Sequence, residues 1–516
     1  MYRKGYAVNR AKTLQVCGTG SGVGKSVIVS ALCRIFLQDG YRVCPFKAQN
    51  MALKSFVTSD GGEIGRAQAF QAEACGIEPA VDMNPILIKP TGDKHAQVIV
   101  HGKPMANMSA LAYVRNKKRL SKSALESFDR LKNEYELMVL EGAGSPAEIN
   151  LKSHDIVNLK MARYAAAPVI LVGDIDKGGV FAWLVGTLEL LEKEERVQIK
   201  AFIINKFRGD VVLLKPGIDF LEKRTGIKVL GVIPYFHPSG RNGIKISEED
   251  SVSLGNFDAN VTNGRRKLNI DIIYLPHISN FTDFDALEKE PDVRLRYIKD
   301  LDSLDKPDVI IIPGTKNTAG DLRYLKESGF AKKIQVIMKD NRSAVLIGIC
   351  GGFQMLGTKI RDPYGLESRQ GDVDGLGILK METVFGKDKV LAQVKAVEAR
   401  SGLVVSGYEI HHGKSRNIKK YAPAFNIIER VGKHMPESAD GIVALNGRIY
   451  GTYIHGIFDA DIFRRKFLNR VRSKKGWGAL SRTTSFSPDR ELNKLAGLVR
   501  KNIDMKYLYK IVESGA

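Results

Sequence analysis

Short apolar runs recur at residues 13–17, 43–46, 137–140, 169–172, 201–204 and 230–234, and again at 270–275, 309–312, 344–349 and 449–454. Several close on glycine-rich or acidic turns, and a helical pattern follows. Continuous apolar runs of this length, without strict alternation, mark parallel strands buried on both faces. Two successive groups of them predict an α/β protein with two sheet domains. Residues 236–267, between the groups, are polar and carry Gly, Ser, Asp and Asn, which reads as a boundary. The expected order is a domain over 1–235, a linker over 236–267, a second α/β domain over 268–462 and a basic helical segment over 463–516. The last holds Arg464-Arg465-Lys466 and the helical spacing of Leu492, Leu495, Leu498 and Val499.

Length supports the division, because 516 residues exceed what one core usually holds. Lys and Arg number 79 against 57 Asp and Glu, a net charge of +22. The basic residues are scattered, and no zinc-finger, helix-turn-helix or RNA-binding signature accompanies them. We therefore read the charge as positive potential at clefts that take anionic ligands, with no nucleic-acid partner. No apolar run approaches the roughly 20 residues that cross a bilayer. The first twelve residues are basic without an apolar core, so the expected place is the cytoplasm, with no membrane insertion. The five cysteines (17, 33, 44, 75 and 350) are odd in number and unpaired in spacing, which suits reduced thiols.

Cys350 changes the picture most. It ends the run 344–349 and is followed by Gly351, Gly352 and a helical pattern. A cysteine on a sharp strand-to-helix turn presents its sulfur at the carboxyl edge of the sheet, where the new helix favours the thiolate. The glycines leave room for substrate and for an oxyanion-binding N–H from Gly351. Alone, such a residue would read as a buried structural cysteine. Far downstream, His455 closes another apolar run, and a catalytic Cys and His meet in the fold, not in sequence.

The N-terminal half carries a second chemistry. The run 13–17 enters Gly18-Thr19-Gly-Ser-Gly-Val-Gly24-Lys25-Ser26 and then a helix over about 27–38. That is a P-loop: backbone N–H groups cradle phosphates, Lys25 reaches the terminal ones and Ser26 can bind Mg²⁺. The first glycine lies one residue early, because Thr19 stands where the strict spacing wants Gly. Lys47, Gln49 and Asn50 follow the second strand, where open α/β sheets present ligand contacts. Asp174 and Asp176 end a later strand and join them as substrate candidates. Glu141 ends the strand opposite the P-loop, the usual place of a second metal ligand; Asp60 and Glu63 are further Mg²⁺ candidates. Histidines 411 and 412 are adjacent, so in a strand they face opposite ways and do not chelate together.

These stretches resemble the cobyric acid synthases. P-F-K-A-Q-N-M, D-G-G-E-I-G-R-A-Q, E-G-A-G-S-P-A-E-I-N-L, D-I-D-K-G-G-V-F-A, I-I-N-K-F-R-G-D, L-P-H-I-S-N-F-T-D-F-D, G-I-C-G-G-F-Q-M-L-G and G-T-Y-I-H-G-I-F-D occur in the family's order over about 13–459. The resemblance implies a P-loop synthetase domain joined to a triad-type (class I), flavodoxin-like glutamine amidotransferase domain. It implies ATP and Mg²⁺, glutamine as co-substrate, and a corrinoid whose b, d, e and g carboxylates become amides. Cys350 is then the nucleophile that forms a γ-glutamyl thioester, and His455 the base and acid. The Gly314 N–H joins that of Gly351 in the oxyanion hole, and Asn205 and Lys206 meet the nucleotide base. The chain departs from the pattern in several places. Triad amidotransferases carry Glu two residues after the histidine, and here that residue is Ile457. Asp459 and Glu409 are the alternative carboxylates. Ala52 and Lys54 replace the usual Ser and Asn. Two other readings are an a,c-diamide synthase, which shares both domains, and a P-loop ATPase switch with an inactive amidotransferase module.

Overall fold

In the computed structural model the described residues are 11–92, 95–236, 267–367, 371–431, 433–481 and 487–515. Most of the expected linker, 237–266, lies outside them. The chain divides into two compact units: Met1–Ala52 with Glu63–Val252 and Ser487–Ala516, and Leu53–Gly62 with Ser253–Phe486. Among the described residues no helix is long and apolar enough to cross a membrane.

The first unit is built on β1 (Lys12–Gly18), α1 (Lys25–Gln38), β2 (Val43–Phe46), β3 (Leu137–Glu141), β4 (Val169–Asp174), β5 (Ile199–Phe207) and β6 (Lys228–Pro234). The strands form one parallel sheet in the order β6-β5-β4-β1-β3-β2. Strands β1 to β4 bury almost every residue, which is why their sequences are apolar runs and not alternations. Their carboxyl ends deliver the P-loop after β1, Lys47 after β2 and Glu141 at the end of β3.

The second unit holds β7 (Leu268–Ile273), β8 (Val293–Ile298), β9 (Val309–Ile312), β10 (Val345–Ile349), β11 (Met381–Glu398), β12 (Val404–Asn417) and β13 (Ile449–Thr452). One sheet runs β8-β7-β9-β10-β13 in parallel and ends on the antiparallel strand Ile442–Ala444. A second, mainly antiparallel sheet is centred on the long β11–β12 pair. After β13 the chain changes sheets at Tyr453, and Ile454–His455 pairs with Tyr408 and Glu409 of β12. The buried Asp440 fixes this crossing by accepting from Thr452 Oγ1 (2.5 Å) and from the Tyr453 N–H (3.2 Å).

The expected C-terminal segment 463–516 is not one piece. Its first helix, Asp461–Lys474, stays in the second unit. Its arginines are interior groups there: Arg464 is fully buried and bonds Glu290 (2.7 Å), and Arg465 bonds Asp292 (2.9 Å). From Ser487 on, the chain belongs to the first unit. Helix Pro488–Asn502 buries Leu492, Leu495, Ala496 and Val499 in the same core as α1, and Arg500 bonds Asp39 at 2.9 Å. Charge counting alone could not separate basic residues that meet buried carboxylates from basic residues that meet water.

Candidate active sites

Cys350 stands at the turn between β10 and the short helix Gly351–Met355, at φ 52° and ψ −112°. A non-glycine residue held at positive φ stores strain of about 1–3 kcal/mol, which surrounding contacts must hold. Here the Cys350 N–H donates to Thr452 O of β13 (2.8 Å), and the glycine that follows by two presses on the β9 end: a Cβ on Gly352 would overlap Ile312 O. Only glycine fits there. The sulfur faces Ile410 O at 3.5 Å.

His455 is fully buried, and the Cys350 side chain lies near enough to its ring to favour the ring's charged form. Between them lies Gly314, on the loop after β9. A Cβ there would stand 3.0 Å from His455 Cε1 and 3.6 Å from Cys350 Cβ. The other ring nitrogen, Nδ1, bonds Asp283 Oδ2 at 2.7 Å, and Asp283 Oδ1 accepts from the Gly456 N–H (3.1 Å). The carboxylate on the histidine is therefore Asp283, and neither Glu409 nor Asp459. Glu409 is taken up by Arg430 (2.8 Å) and lies 3.7 Å from His411 Nε2. Asp459 lies on the turn after the histidine, with its N–H on Gly456 O (3.0 Å). Asp283 sits in the turn Phe281–Phe284, inside the S-N-F-T-D-F-D stretch. The available signal was an acidic residue between two phenylalanines on the loop after the first strand of the domain.

Burial disfavours charge on the imidazole, but Asp283 and the Cys350 sulfur outweigh it and raise the His455 pKa to about 10. The site thus favours an imidazolium beside the sulfur. Tyr408 stacks on the ring at 5.1 Å, 15° from parallel. Gln354, on the helix behind Cys350, donates to His412 O (2.8 Å) and Tyr453 Oη (3.3 Å), and the His411 ring stacks on Tyr453.

In the first unit, Gly18 to Ser26 wraps the start of α1. Lys25 Nζ donates to Gly20 O (2.8 Å) and Gly144 O (3.1 Å). The Thr19 N–H bonds Val172 O of β4 (3.0 Å). Gly24 has φ 98°, and a Cβ there would strike Asn205 Nδ2. Asn205 and Lys206 brace the loop: Asn205 Nδ2 donates to Val23 O (2.9 Å) and Lys206 Nζ to Gly22 O (2.7 Å). Asp174 in turn lies 3.3 Å from Lys206 Nζ, and Asp176 pairs with Arg208 (2.7 Å).

Glu141 is the hub. One oxygen accepts from Ser26 Oγ (2.8 Å) and from Lys47 Nζ (2.8 Å), and the other from Gln71 Nε2 (2.5 Å). Asn50 donates to Gln68 Oε1 (2.9 Å). Gln49 accepts from Tyr113 Oη and lies 3.3 Å from Lys117 Nζ. The two remaining metal candidates have other tasks. Glu63 forms a buried ion pair with Lys89, and Asp60 is exposed and accepts from Thr58 Oγ1 in a turn of the second unit. Among the described residues no group of three or more His, Cys, Asp or Glu could hold a metal ion. A hydroxyl and one carboxylate nonetheless suit Mg²⁺, which takes most of its ligands from phosphate and water. Thr19 Oγ1 and Asn205 Oδ1, both buried, have no hydrogen-bond partner among the described residues. Buried polar atoms left open beside a P-loop fit a polar ligand.

Comparison with known proteins matches both halves. Residues 14–242 fit the CobQ/CobB/MinD/ParA nucleotide binding domain, and residues 269–463 the CobB/CobQ-like glutamine amidotransferase domain. Cobyric acid synthase of Dehalococcoides mccartyi is 50% identical over 98% of this chain and 99% of its own length. That of Pelotomaculum thermopropionicum is 49% identical over 97% of each chain, and that of a Thermoanaerobacter species 48% over 98% of this chain and 99% of its own. From end to end, this chain belongs to the cobyric acid synthase family.

Proposed function

We propose that the chain converts the b, d, e and g carboxylates of adenosylcobyrinic acid a,c-diamide to carboxamides, giving adenosylcobyric acid in cobalamin biosynthesis. What supports the reading is one chain that pairs a Cys350–His455–Asp283 line with a P-loop braced against a buried carboxylate, in the family just described.

At the glutaminase site the Cys350 thiolate attacks the side-chain amide carbon of glutamine. The Gly314 and Gly351 N–H groups receive the oxyanion. His455 Nε2 gives its proton to the leaving nitrogen, and ammonia departs. The now neutral ring takes a proton from water, whose oxygen displaces Cys350 and releases glutamate. At the P-loop an acceptor carboxylate oxygen attacks the γ-phosphorus of ATP; ADP leaves and an acyl phosphate forms. Lys25 and the loop N–H groups hold the phosphates, and Lys47 neutralises the approaching carboxylate. Ser26 and Glu141 would hold Mg²⁺, which would offset phosphate charge. Ammonia then displaces phosphate from the acyl carbon.

With acceptor carboxylates labelled by ¹⁸O, each amide formed should place one ¹⁸O in inorganic phosphate. Unlabelled phosphate would exclude the acyl phosphate. Lys25→Ala should lose amidation with either nitrogen source and still hydrolyse glutamine.

A further inference from the structure

One contact on His455 is not used by this chemistry. Asn280, buried and at φ 53°, places Nδ2 3.4 Å from His455 Nε2, the nitrogen opposite the one that Asp283 holds. Its Oδ1 accepts from the Ser55 backbone N–H at 3.4 Å. A backbone N–H can only donate, so this contact fixes the amide: oxygen to Ser55, NH₂ to the histidine.

Ser55 lies in Leu53–Gly62, which interrupts the first unit in sequence but packs in the second. Val57 is fully buried against Tyr408 and Ile410, and its carbonyl accepts from Gln393 Nε2 at 2.9 Å. Tyr408 is the ring stacked on His455. The Lys54 ammonium covers the Phe281 ring at 3.8 Å, two residues before Asp283. The segment therefore reaches the catalytic imidazole's surroundings through Asn280, Tyr408 and the Asp283 turn.

We propose that Asn280, oriented by Ser55, is a positioning residue for His455. An amide NH₂ facing Nε2 supports the neutral ring, whose lone pair it can bond. Freed from Ser55, the amide can turn and offer its oxygen to Nε2–H, which supports the imidazolium. Thioester hydrolysis needs the neutral ring as base, whereas acylation is served by the charged one. Loss of the contact should therefore slow deacylation.

The test is glutamine hydrolysis by the full chain carrying Ser55→Pro, Asn280→Ala, Asn280→Asp or Gln393→Ala, with intact-protein mass spectrometry and ammonium-driven amidation alongside. We expect kcat for glutamine to fall about tenfold or more in Ser55→Pro and Asn280→Ala, and further in Asn280→Asp. KM should fall with kcat, leaving kcat/KM nearly constant, while the γ-glutamyl thioester accumulates on Cys350. Gln393→Ala, a milder surface change, should move in the same direction. Ammonium-driven amidation should be unchanged in Ser55→Pro and Gln393→Ala. A fall in kcat/KM without thioester, or unchanged glutamine kinetics, would overturn the positioning role.

Discussion

Cys350→Ala should lose glutamine hydrolysis by about 10⁴-fold or more, because no other group in the site can form the thioester. The same variant should amidate at the wild-type rate when supplied with ammonium. The substitution is small, and alanine adopts the φ 52° turn as readily as cysteine, so the loss would be chemical. Equal loss with both nitrogen sources would mean that Cys350 serves the fold of the whole chain.

Asp283→Asn should be the second-largest effect, with kcat for glutamine down by about 10³–10⁴-fold, on the scale seen when a triad carboxylate is made neutral. The asparagine keeps the shape but neither holds the proton on Nδ1 nor supports a charged ring. The same substitution carries a pH signature. His455 has an ordinary value near 6.5, raised in the folded chain to about 10. A raised value means that the folded state binds the proton more tightly than the unfolded one. The contribution to stability is then fully present below about 6.5 and is lost as the pH rises through about 10. The wild type should therefore lose more stability than Asp283→Asn between pH 7 and 10 in thermal unfolding. Equal slopes would place the charge elsewhere.

The parallel strands were legible because burial on both faces leaves runs such as Val309–Ile312, which the chain forms over the expected residues. The Cys350 turn and the P-loop were legible because each is local: strand, glycines and helix within ten or so residues. What escaped reading was non-local. Asp283 lies 172 positions before the histidine that it holds, and nothing in its own neighbours points to that partner. Segment 53–62 reads as part of the first sheet domain, because it is flanked by that domain on both sides; packing such as that of Val57 against Tyr408 and Ile410 places it in the second unit. The tail from Ser487 is the same case in reverse, since an amphipathic helix announces an apolar face but not the core that covers it. Asn205 and Lys206 show a third limit. Their position was legible, but their hydrogen bonds to Val23 and Gly22 are made to a loop that lies far away in sequence.

In the proposed function one chain turns carboxylates of a corrinoid into amides with nitrogen drawn from glutamine. Mass spectrometry of adenosylcobyrinic acid a,c-diamide incubated with enzyme, MgATP and amide-¹⁵N glutamine tests it most directly. Four successive carboxylate-to-carboxamide conversions are expected, each carrying one ¹⁵N. Glutamine hydrolysed and ATP consumed, with the corrinoid unchanged in mass, would contradict it.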